Sequence, residues 1–246
     1  MTTSEALPTV SVILAVKNGA RHLAATLESV VTQTHRPLEV LIIDDQSEDD
    51  TRKIAESFAA RGVRFIANPD PLGIAGSRNL GVRLARGELL AFTSHDDLWE
   101  PEKLRVQAAF LRDRPEILFC ITHVRCFLDP GEEPPRGLSR ERIGADVPGY
   151  LPEALLARRA AFDCVGLFDT TLKLADDTDW YARAQDLGVA RAVLPDCLVH
   201  KRLHATNNTY QPAHGGRLQP ELVQVAHRSL ARKRARQAEN TASDQP

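Results

Sequence analysis

The fold class follows from the stretch Val10-Ser11-Val12-Ile13-Leu14-Ala15-Val16, an apolar run rich in β-branched residues. A short run of this kind is typical of a buried β-strand. Asn18-Gly19 then interrupts it, and apolar residues recur at helical spacing at Leu23, Leu27 and Val30. The chain is therefore predicted to begin with a strand, a loop and a helix.

The same alternation of strand and helix repeats three more times before residue 125. The apolar runs lie at 40–43, 63–66 and 89–92, and the helical patterns that follow them lie at 54–59, 80–84 and 104–111. Four strand–helix units with short connections predict a doubly wound α/β fold with a mostly parallel sheet. Because the strands are continuously apolar, we expect helices on both faces of the sheet.

The pattern changes after residue 125, where turn residues fill positions 129–137. Short strands are predicted at 154–157 and 192–194, with a helix at 176–187 between them. This second half is too short to be an independent repeat of the first. We expect it to form a smaller α+β extension along one edge of the sheet.

The C-terminal segment, residues 214–246, is predicted to be a basic helix from Glu221 onward and a frayed polar tail from Glu239. Its basic residues are Arg228, Arg232, Lys233, Arg234 and Arg236. They could form a solvated helix face or a peripheral contact with an anionic membrane surface. The shortness of the cluster favours the solvated face.

Composition excludes several classes of protein. The 246 residues carry 31 Lys and Arg against 33 Asp and Glu, so the basic excess of a nucleic-acid binder is missing. No run approaches the ~18 apolar residues that a membrane-spanning helix needs, and the N-terminus does not resemble a secretory signal. The four cysteines are widely spaced, and we expect them to be reduced core residues of a cytoplasmic protein.

Acidic pairs follow two of the predicted strands, at the sheet edge where ligands of parallel α/β proteins bind. Asp44-Asp45 ends the second strand, and these carboxylates could accept hydrogen bonds from a base or ribose, or cap the next helix. His95-Asp96-Asp97 ends the fourth strand, where acids suit Mg²⁺ or Mn²⁺ but are also common in turns. Each pair taken alone leaves both interpretations open.

Three further segments could carry chemistry. Gly73 to Asn79 opens a helix whose free N–H groups, together with Arg78, favour an anion, although it matches neither a dinucleotide nor a P-loop motif. Asp176-Asp177-Thr178-Asp179 puts carboxylates at a helix start, either as favourable dipole partners or as a source of a general base. His204 could be structural or a metal ligand.

The order of these segments resembles the family 2 glycosyltransferases with the GT-A fold, over residues ~8 to 210. The opening resembles the family at 8–18, 29–34 and 39–47. Residues 73–81 are similar to the family motif G-x-x-x-A-R-N-x-G, with Ser77 in place of Ala. Residues 94–99 are similar to its D-x-D-D-x-W motif, and residues 176–180 to its E-D-x-D motif.

This resemblance implies transfer of a sugar, with inversion, from a nucleotide-diphosphate donor such as a UDP-sugar to a glycan, lipid-linked or small-molecule acceptor. It further implies a divalent cofactor, Mn²⁺ or Mg²⁺. Residues 8–125 would form the donor half and 126–213 the acceptor half of one domain, 1–213. The implied site residues are Asp177 as catalytic base, Ala15, Lys17, Asp44, Asp45, Arg78, His95 and Asp96 for the donor, and Asp96 and His204 for the metal.

Two departures from the family pattern keep alternatives open. Ser94 replaces the first acid of D-x-D, which weakens the case for a metal and allows a non-catalytic relative that binds a nucleotide sugar or glycan. Lys17 stands where an aromatic residue is common, which leaves the nucleobase preference open.

Two other classes of α/β protein are disfavoured. A sugar-nucleotidyltransferase would have a Gly-rich, Lys-bearing loop after the first strand, and this chain has none there. A receiver domain would have its acidic pair after the first strand, whereas Asp44-Asp45 follows the second.

Overall fold

The computed structural model describes residues 6–134, 143–204, 207 and 218–243. The first half alternates strands and helices as the sequence predicts. Its elements are β1 (Val10–Val16), α1 (Ala20–Val31), β2 (Glu39–Asp44), α2 (Thr51–Ser57), β3 (Val63–Ala67), α3 (Gly73–Leu84), β4 (Leu89–Thr93), β5 (Leu98–Trp99) and α4 (Lys103–Arg112).

The second half contributes strands to the same sheet. Its elements are β6 (Phe119–Leu128), β7 (Asp146–Pro148), β8 (Leu155–Arg158), α5 (Arg159–Val165), α6 (Asp176–Asp186), β9 (Arg191–Leu203) and α7 (Leu218–Ser243), with a short 3-10 turn at Pro152–Ala154. The strand order is β3-β2-β1-β4-β8-β6-β9-β5, and β7 pairs with β6. The predicted extension therefore continues the sheet, through the long strands β6 and β9, rather than lying along its edge.

Strands β3, β2, β1 and β4 are mutually parallel, whereas β8 pairs antiparallel with both β4 and β6. All seven residues of β1 except Ala15 are buried, as expected for a strand covered on both faces. Helix α3 packs so close to β1 that a Cβ at Gly81 would clash with Cγ2 of Ile13. Only glycine fits at that contact.

An aromatic cluster fixes α6 against the second half of the sheet. Trp180 is fully buried, and its ring centroid lies 5.2 Å from that of Phe119 and 5.1 Å from that of Phe162. The indole N–H donates to the carbonyl of Gly166 at 3.0 Å. Because Trp180 lies one turn after the start of α6, this packing sets the position of the first turn of that helix.

Two basic side chains of helix α7 form ion pairs with acidic residues in and near α6. Arg228 pairs with Asp169 at 2.7 Å, and Arg232 pairs with Asp186, in the last turn of α6, at 2.8 Å. Arg228 and Arg232 are two of the five basic residues for which the sequence left a solvated helix face and a membrane contact open. The helix extends to Ser243, beyond residue 239, where the sequence predicts that the polar tail begins. None of the helices in the described ranges combines the length and apolarity needed to cross a membrane.

All four cysteines are free thiols, but they are not all core residues. Cys120 is buried, Cys126 and Cys197 are half-buried, and Cys164 is exposed. The prediction was wrong for Cys164 because α5 turns Ala161, Phe162 and Val165 toward the core. Position 164 then falls on the solvent side of that helix.

Candidate active site

A cavity of about 870 Å³ lies where the carboxyl ends of β1, β2 and β4 meet the first turn of α6. This is the edge of a parallel sheet at which ligands are expected. The structure brings seven of the predicted site residues together in its lining, namely Ala15, Lys17, Asp45, Arg78, His95, Asp96 and Asp177. Asp44 and His204 are not among the lining residues.

The adjacent acids Asp44 and Asp45 have different surroundings. Asp45 is half-buried and lines the cavity, where its carboxylate accepts hydrogen bonds from the backbone N–H groups of Leu72, at 2.7 Å, and Gly73, at 3.0 Å. Gly73 has a φ of +67°, a conformation that glycine adopts without strain. Asp44 is buried and accepts from the N–H of Ser47 at 3.1 Å. Asp44 therefore closes the turn after β2.

Asp96 forms the centre of a hydrogen-bonded group. Its Oδ2 lies 2.9 Å from Nε2 of His204 and 3.1 Å from Nδ2 of Asn207. Burial opposes ionisation of this carboxyl, but the hydrogen bond from His204 and the nearby charges outweigh it and lower the pKa of Asp96 to about 2. Asp96 is therefore a carboxylate throughout the physiological pH range. His204 lies behind it and is connected to the cavity by its hydrogen bond to Asp96.

The donor set around Asp96 is small for a metal ion. Within the described ranges, no group of three or more His, Cys, Asp or Glu side chains is placed to hold one. Asp96 and His204 offer one carboxylate and one ring nitrogen, 2.9 Å apart. Mg²⁺ commonly binds one or two carboxylates and completes its shell with substrate phosphates and water. Asp96 thus fits a divalent cation whose remaining ligands would come from a bound diphosphate, and His204 would join it by exchanging its hydrogen bond to Asp96 for the metal.

Asp177 lies on the other side of the cavity, in the first turn of α6. Burial, the adjacent carboxylate of Asp176 and that of Glu153 raise the pKa of Asp177 to about 6, against the opposing effect of Arg78. The carboxylate accepts from the N–H of Thr178 at 2.6 Å. A half-buried carboxyl with a pKa close to neutrality is suited to accept a proton.

Arg78 is buried beside Asp177 and is held by acids from two separate segments. Its Nη1 donates to Oδ2 of Asp176 at 2.8 Å, and its Nη2 lies 3.7 Å from Oε1 of Glu153. Its guanidinium carbon lies 5.6 Å from the ring centroid of Phe168. These contacts fix the orientation of a cation in the wall of the cavity.

Sequence reasoning missed Glu153 and Lys201, which both line the cavity. Glu153 is buried and accepts a hydrogen bond from the hydroxyl of Ser94, so a carboxylate stands beside the position where the motif lacks one. No local signal marks Glu153, because the contact joins residues 59 positions apart. Lys201 could have been found, since it is three residues before His204 in a segment already singled out.

Lys201 adds a cation to the Asp96 side of the cavity. Its Nζ lies 3.5 Å from Oδ2 of Asp97. Burial alone lowers the pKa of Lys201, but the carboxylates of Asp97, Glu153 and Asp96 raise it above the ordinary value. The cavity therefore contains a fixed ammonium group and a fixed guanidinium group, together with carboxyls whose pKa values are shifted in opposite directions. Such a site can bind an anionic ligand and accept a proton from a second molecule.

Comparisons with known proteins agree with this geometry. The family described as "Glycosyl transferase family 2" matches residues 11–167. An uncharacterised glycosyltransferase of Rickettsia typhi is 28% identical over 71% of this chain and 58% of its own length. The UDP-Glc:alpha-D-GlcNAc-diphosphoundecaprenol beta-1,3-glucosyltransferase of Escherichia coli is 36% identical over 42% of this chain and 41% of its own length. The chain thus spans only about half of the length of these relatives.

A solved structure shows the same fold. The mannosyltransferase of Pyrobaculum calidifontis, in complex with GDP-Man and Mn²⁺, matches with a TM-score of 0.67 and 21% identity. The match covers 92% of this chain and 65% of that one. The α/β sheet is thus the GT-A-like fold that the sequence predicts. Because the family match extends over more than half of the residues, this chain belongs to glycosyl transferase family 2.

Proposed function

We propose that this protein transfers a sugar from a nucleotide-diphosphate donor to an acceptor hydroxyl by an inverting single displacement, in glycan biosynthesis. The observation that carries the proposal is the pair of carboxyls, Asp96 and Asp177, in one cavity with opposite pKa shifts. Opposed shifts of this kind separate a permanently charged group from a group that can exchange a proton.

The donor would lie along the carboxyl ends of the strands. Ala15 and Lys17 line the cavity at the end of β1, beside Asp45, and would contact the base. Oδ1 of Asp45 accepts from the backbone of Leu72 and from the side chain of Asn68, whereas Oδ2 accepts from Gly73 and retains a lone pair for the base or ribose. Arg78 and Lys201 would balance the charge of the diphosphate. The UDP-Glc named for the Escherichia coli relative supports a UDP-sugar as donor.

Asp96 and His204 would hold a divalent cation, Mn²⁺ or Mg²⁺, on the diphosphate. When bound, such a cation neutralises the charge that develops on the nucleoside diphosphate as it leaves. Asn207 donates to the Oδ2 atom of Asp96 at 3.1 Å and would keep this oxygen in place when Nε2 of His204, 2.9 Å away, exchanges its hydrogen bond to Asp96 for the metal. Outer partners of this kind fix the direction in which a ligand oxygen points.

Asp177 would be the catalytic base. It would take the proton of the acceptor hydroxyl as that oxygen attacks the anomeric carbon from the face opposite the diphosphate. The new bond to the acceptor oxygen forms while the bond to the diphosphate oxygen breaks, and the electron pair leaves with the diphosphate. Because the pKa of Asp177 is about 6, its carboxylate predominates at pH 7 and is still basic enough to accept this proton.

The acceptor would enter on the side of Asp177. Tyr150, Leu151, Lys173 and Leu174 line the cavity and would face the acceptor. A glycan, a lipid-linked sugar or a small molecule could supply the hydroxyl, and the lipid-linked substrate named for the Escherichia coli relative supports the second of these. The cytoplasmic location stays a prediction of the sequence.

Thermal melting with a panel of nucleotides tests the donor site. A ligand present at 100 times its dissociation constant stabilises the folded state by about 2.7 kcal/mol, which a melting curve resolves. We expect UDP and UDP-sugars to raise the melting temperature more than GDP does, with a larger increase when Mn²⁺ is present. No increase with any nucleotide, in a sample that unfolds cooperatively, would contradict the proposal and favour a relative without a working donor site.

A further inference from the structure

Glu221, in the first turn of α7, binds the chain directly before the proposed catalytic base. One carboxylate oxygen accepts from the N–H of Lys173 at 3.1 Å, and the other accepts from the N–H groups of Leu174, at 2.9 Å, and Ala175, at 3.0 Å. Glu221 is half-buried. One side chain thus holds three successive backbone N–H groups, from a position 46 to 48 residues later in the chain.

These three residues lead into the catalytic segment. Ala175 is the residue before α6, and the next two residues are Asp176 and Asp177. Ala175 has no polar side chain with which to cap the helix, so the carboxylate of Glu221 binds the backbone at that point. Lys173 and Leu174 also line the cavity. The Glu221 contact therefore holds the backbone that connects Lys173 and Leu174, on the proposed acceptor side, to the proposed base.

Apolar packing supports the same junction. Leu172, Ala175 and Val225 are buried against one another, with Ala182 of α6 packed beside them. Val225 lies one turn after Glu221, so this helix face both covers the segment and binds its backbone. Charge-assisted hydrogen bonds are shorter and stronger than neutral ones, and three of them on adjacent amides restrict the movement of the segment.

We infer that Glu221 is a positioning residue that fixes the base Asp177 for the reaction, and that α7 is part of the active site's framework. This inference rests on the proposed function, since it assigns a role to the base of that reaction. Glu221 is not among the residues that line the cavity, and its hydrogen bonds reach the lining residues Lys173 and Leu174 at their backbone N–H groups. Its expected effect follows from geometry, because a displacement of about 1 Å in a reacting group can cost 10²-fold in rate.

An ion pair at the other end of α6 and α7 provides a matched control for a contact that only stabilises the fold. There, Arg232 of α7 donates to Asp186, in the last turn of α6, at 2.8 Å. That ion pair also attaches α7 to α6, but it lies two to three turns away from Asp177. Arg232→Ala should therefore lower stability without altering the geometry of the base.

The experiment compares Glu221→Ala, Glu221→Gln and Arg232→Ala for thermal stability, kcat and the KM for the donor. We expect Glu221→Ala to lower kcat about 10- to 100-fold with an unchanged donor KM. Glu221→Gln should recover part of kcat, because its carbonyl oxygen still accepts a hydrogen bond. Arg232→Ala should lower the melting temperature and leave kcat unchanged. Equal losses of kcat in the two alanine variants, or a loss that simply follows the melting temperature, would overturn the inference.

Hydrogen exchange separates this inference from the proposed function. If the wild-type protein transfers no sugar, the proposed function fails, but the exchange of the amides at 173–177 still reports on the contact. We expect Glu221→Ala to speed exchange at those amides and Arg232→Ala to leave it unchanged. Unchanged exchange in Glu221→Ala, or faster exchange at 173–177 in both variants, would overturn the positioning role whatever the activity is.

Discussion

Asp96 and Asp177 are carboxyls of the same residue type in the same cavity, yet their surroundings differ. Asp96 is buried against hydrogen-bond donors, His204 and Asn207, and its pKa falls to about 2. Asp177 is half-buried among other acids, and its pKa rises to about 6. The pKa of each carboxyl is decided by its neighbours, because donors stabilise the charged form while burial and like charges oppose it.

This difference separates the two tasks of the proposed reaction. A group that holds a cation or a diphosphate must stay charged at every working pH, whereas a general base must lose and regain a proton near neutrality. Substitutions at the two carboxyls, and at the residues that set their pKa values, therefore test whether the tasks are divided in this way.

The largest effect is expected from Asp177→Asn. The amide is close in size to the carboxylate but cannot accept the acceptor's proton, so kcat should fall by about 10² to 10⁴. Initial rates of nucleoside diphosphate release in the presence of acceptor measure this loss. Donor-induced thermal shifts should persist, because the side chain is not assigned to the donor. Near-normal turnover by a folded variant would show that the base lies elsewhere.

The same variant also carries a stability control. Burial and like charges raise the pKa of Asp177 above the unfolded value, so its ionisation in the folded state costs stability. That cost is absent below pH ~4 and is fully present above the folded pKa of about 6. Asp177→Asn should therefore melt at a higher temperature than the wild type at pH 8 and at a similar temperature at pH 4. A melting temperature below that of the wild type at pH 8 would mean that the kinetic loss reflects misfolding.

The next largest effect is expected on the other side of the cavity. His204→Ala removes both a proposed metal ligand and the hydrogen bond that orients Asp96. Losing a partner of this kind typically costs about 10- to 100-fold in metal affinity or activity. Titration of Mn²⁺ against the donor-induced thermal shift measures the loss directly. His35→Ala is the control, because His35 contacts the backbone of Pro8 and does not line the cavity.

The position of the candidate site in the sheet could be predicted from the sequence because it depends on regular geometry. Continuous apolar runs predicted parallel strands, and the carboxyl ends of such strands meet at one edge. Lys17, Asp45 and Asp96 follow three such strands, and all line the cavity. Asp44 shows the limit of this reasoning, since its sequence position is as good as that of Asp45 but its side chain binds the following turn.

What the sequence could not supply are contacts between distant segments. Glu153 meets Ser94 across 59 positions, and Glu221 meets Ala175 across 46. Neither residue belongs to a motif, and each looks like an ordinary solvated acid. Burial and packing decide their roles, and these emerge only when the turn before β8 is placed beside β4 and α7 is placed beside α6.

The smallest effect, and the most specific to the comparison, concerns the pH dependence of kcat. With the pKa of Asp177 at about 6, kcat should be constant at higher pH and fall about tenfold per unit at lower pH. The Glu153 carboxylate raises that pKa, so Glu153→Gln should move this limb of the profile to lower pH by less than about one unit. The glutamine side chain would keep an oxygen that accepts from the Ser94 hydroxyl. His204→Ala should leave the limb in place, since its contact is with Asp96. If the acidic limb of the kcat profile moved in His204→Ala and stayed fixed in Glu153→Gln, the titrating base would be Asp96 rather than Asp177.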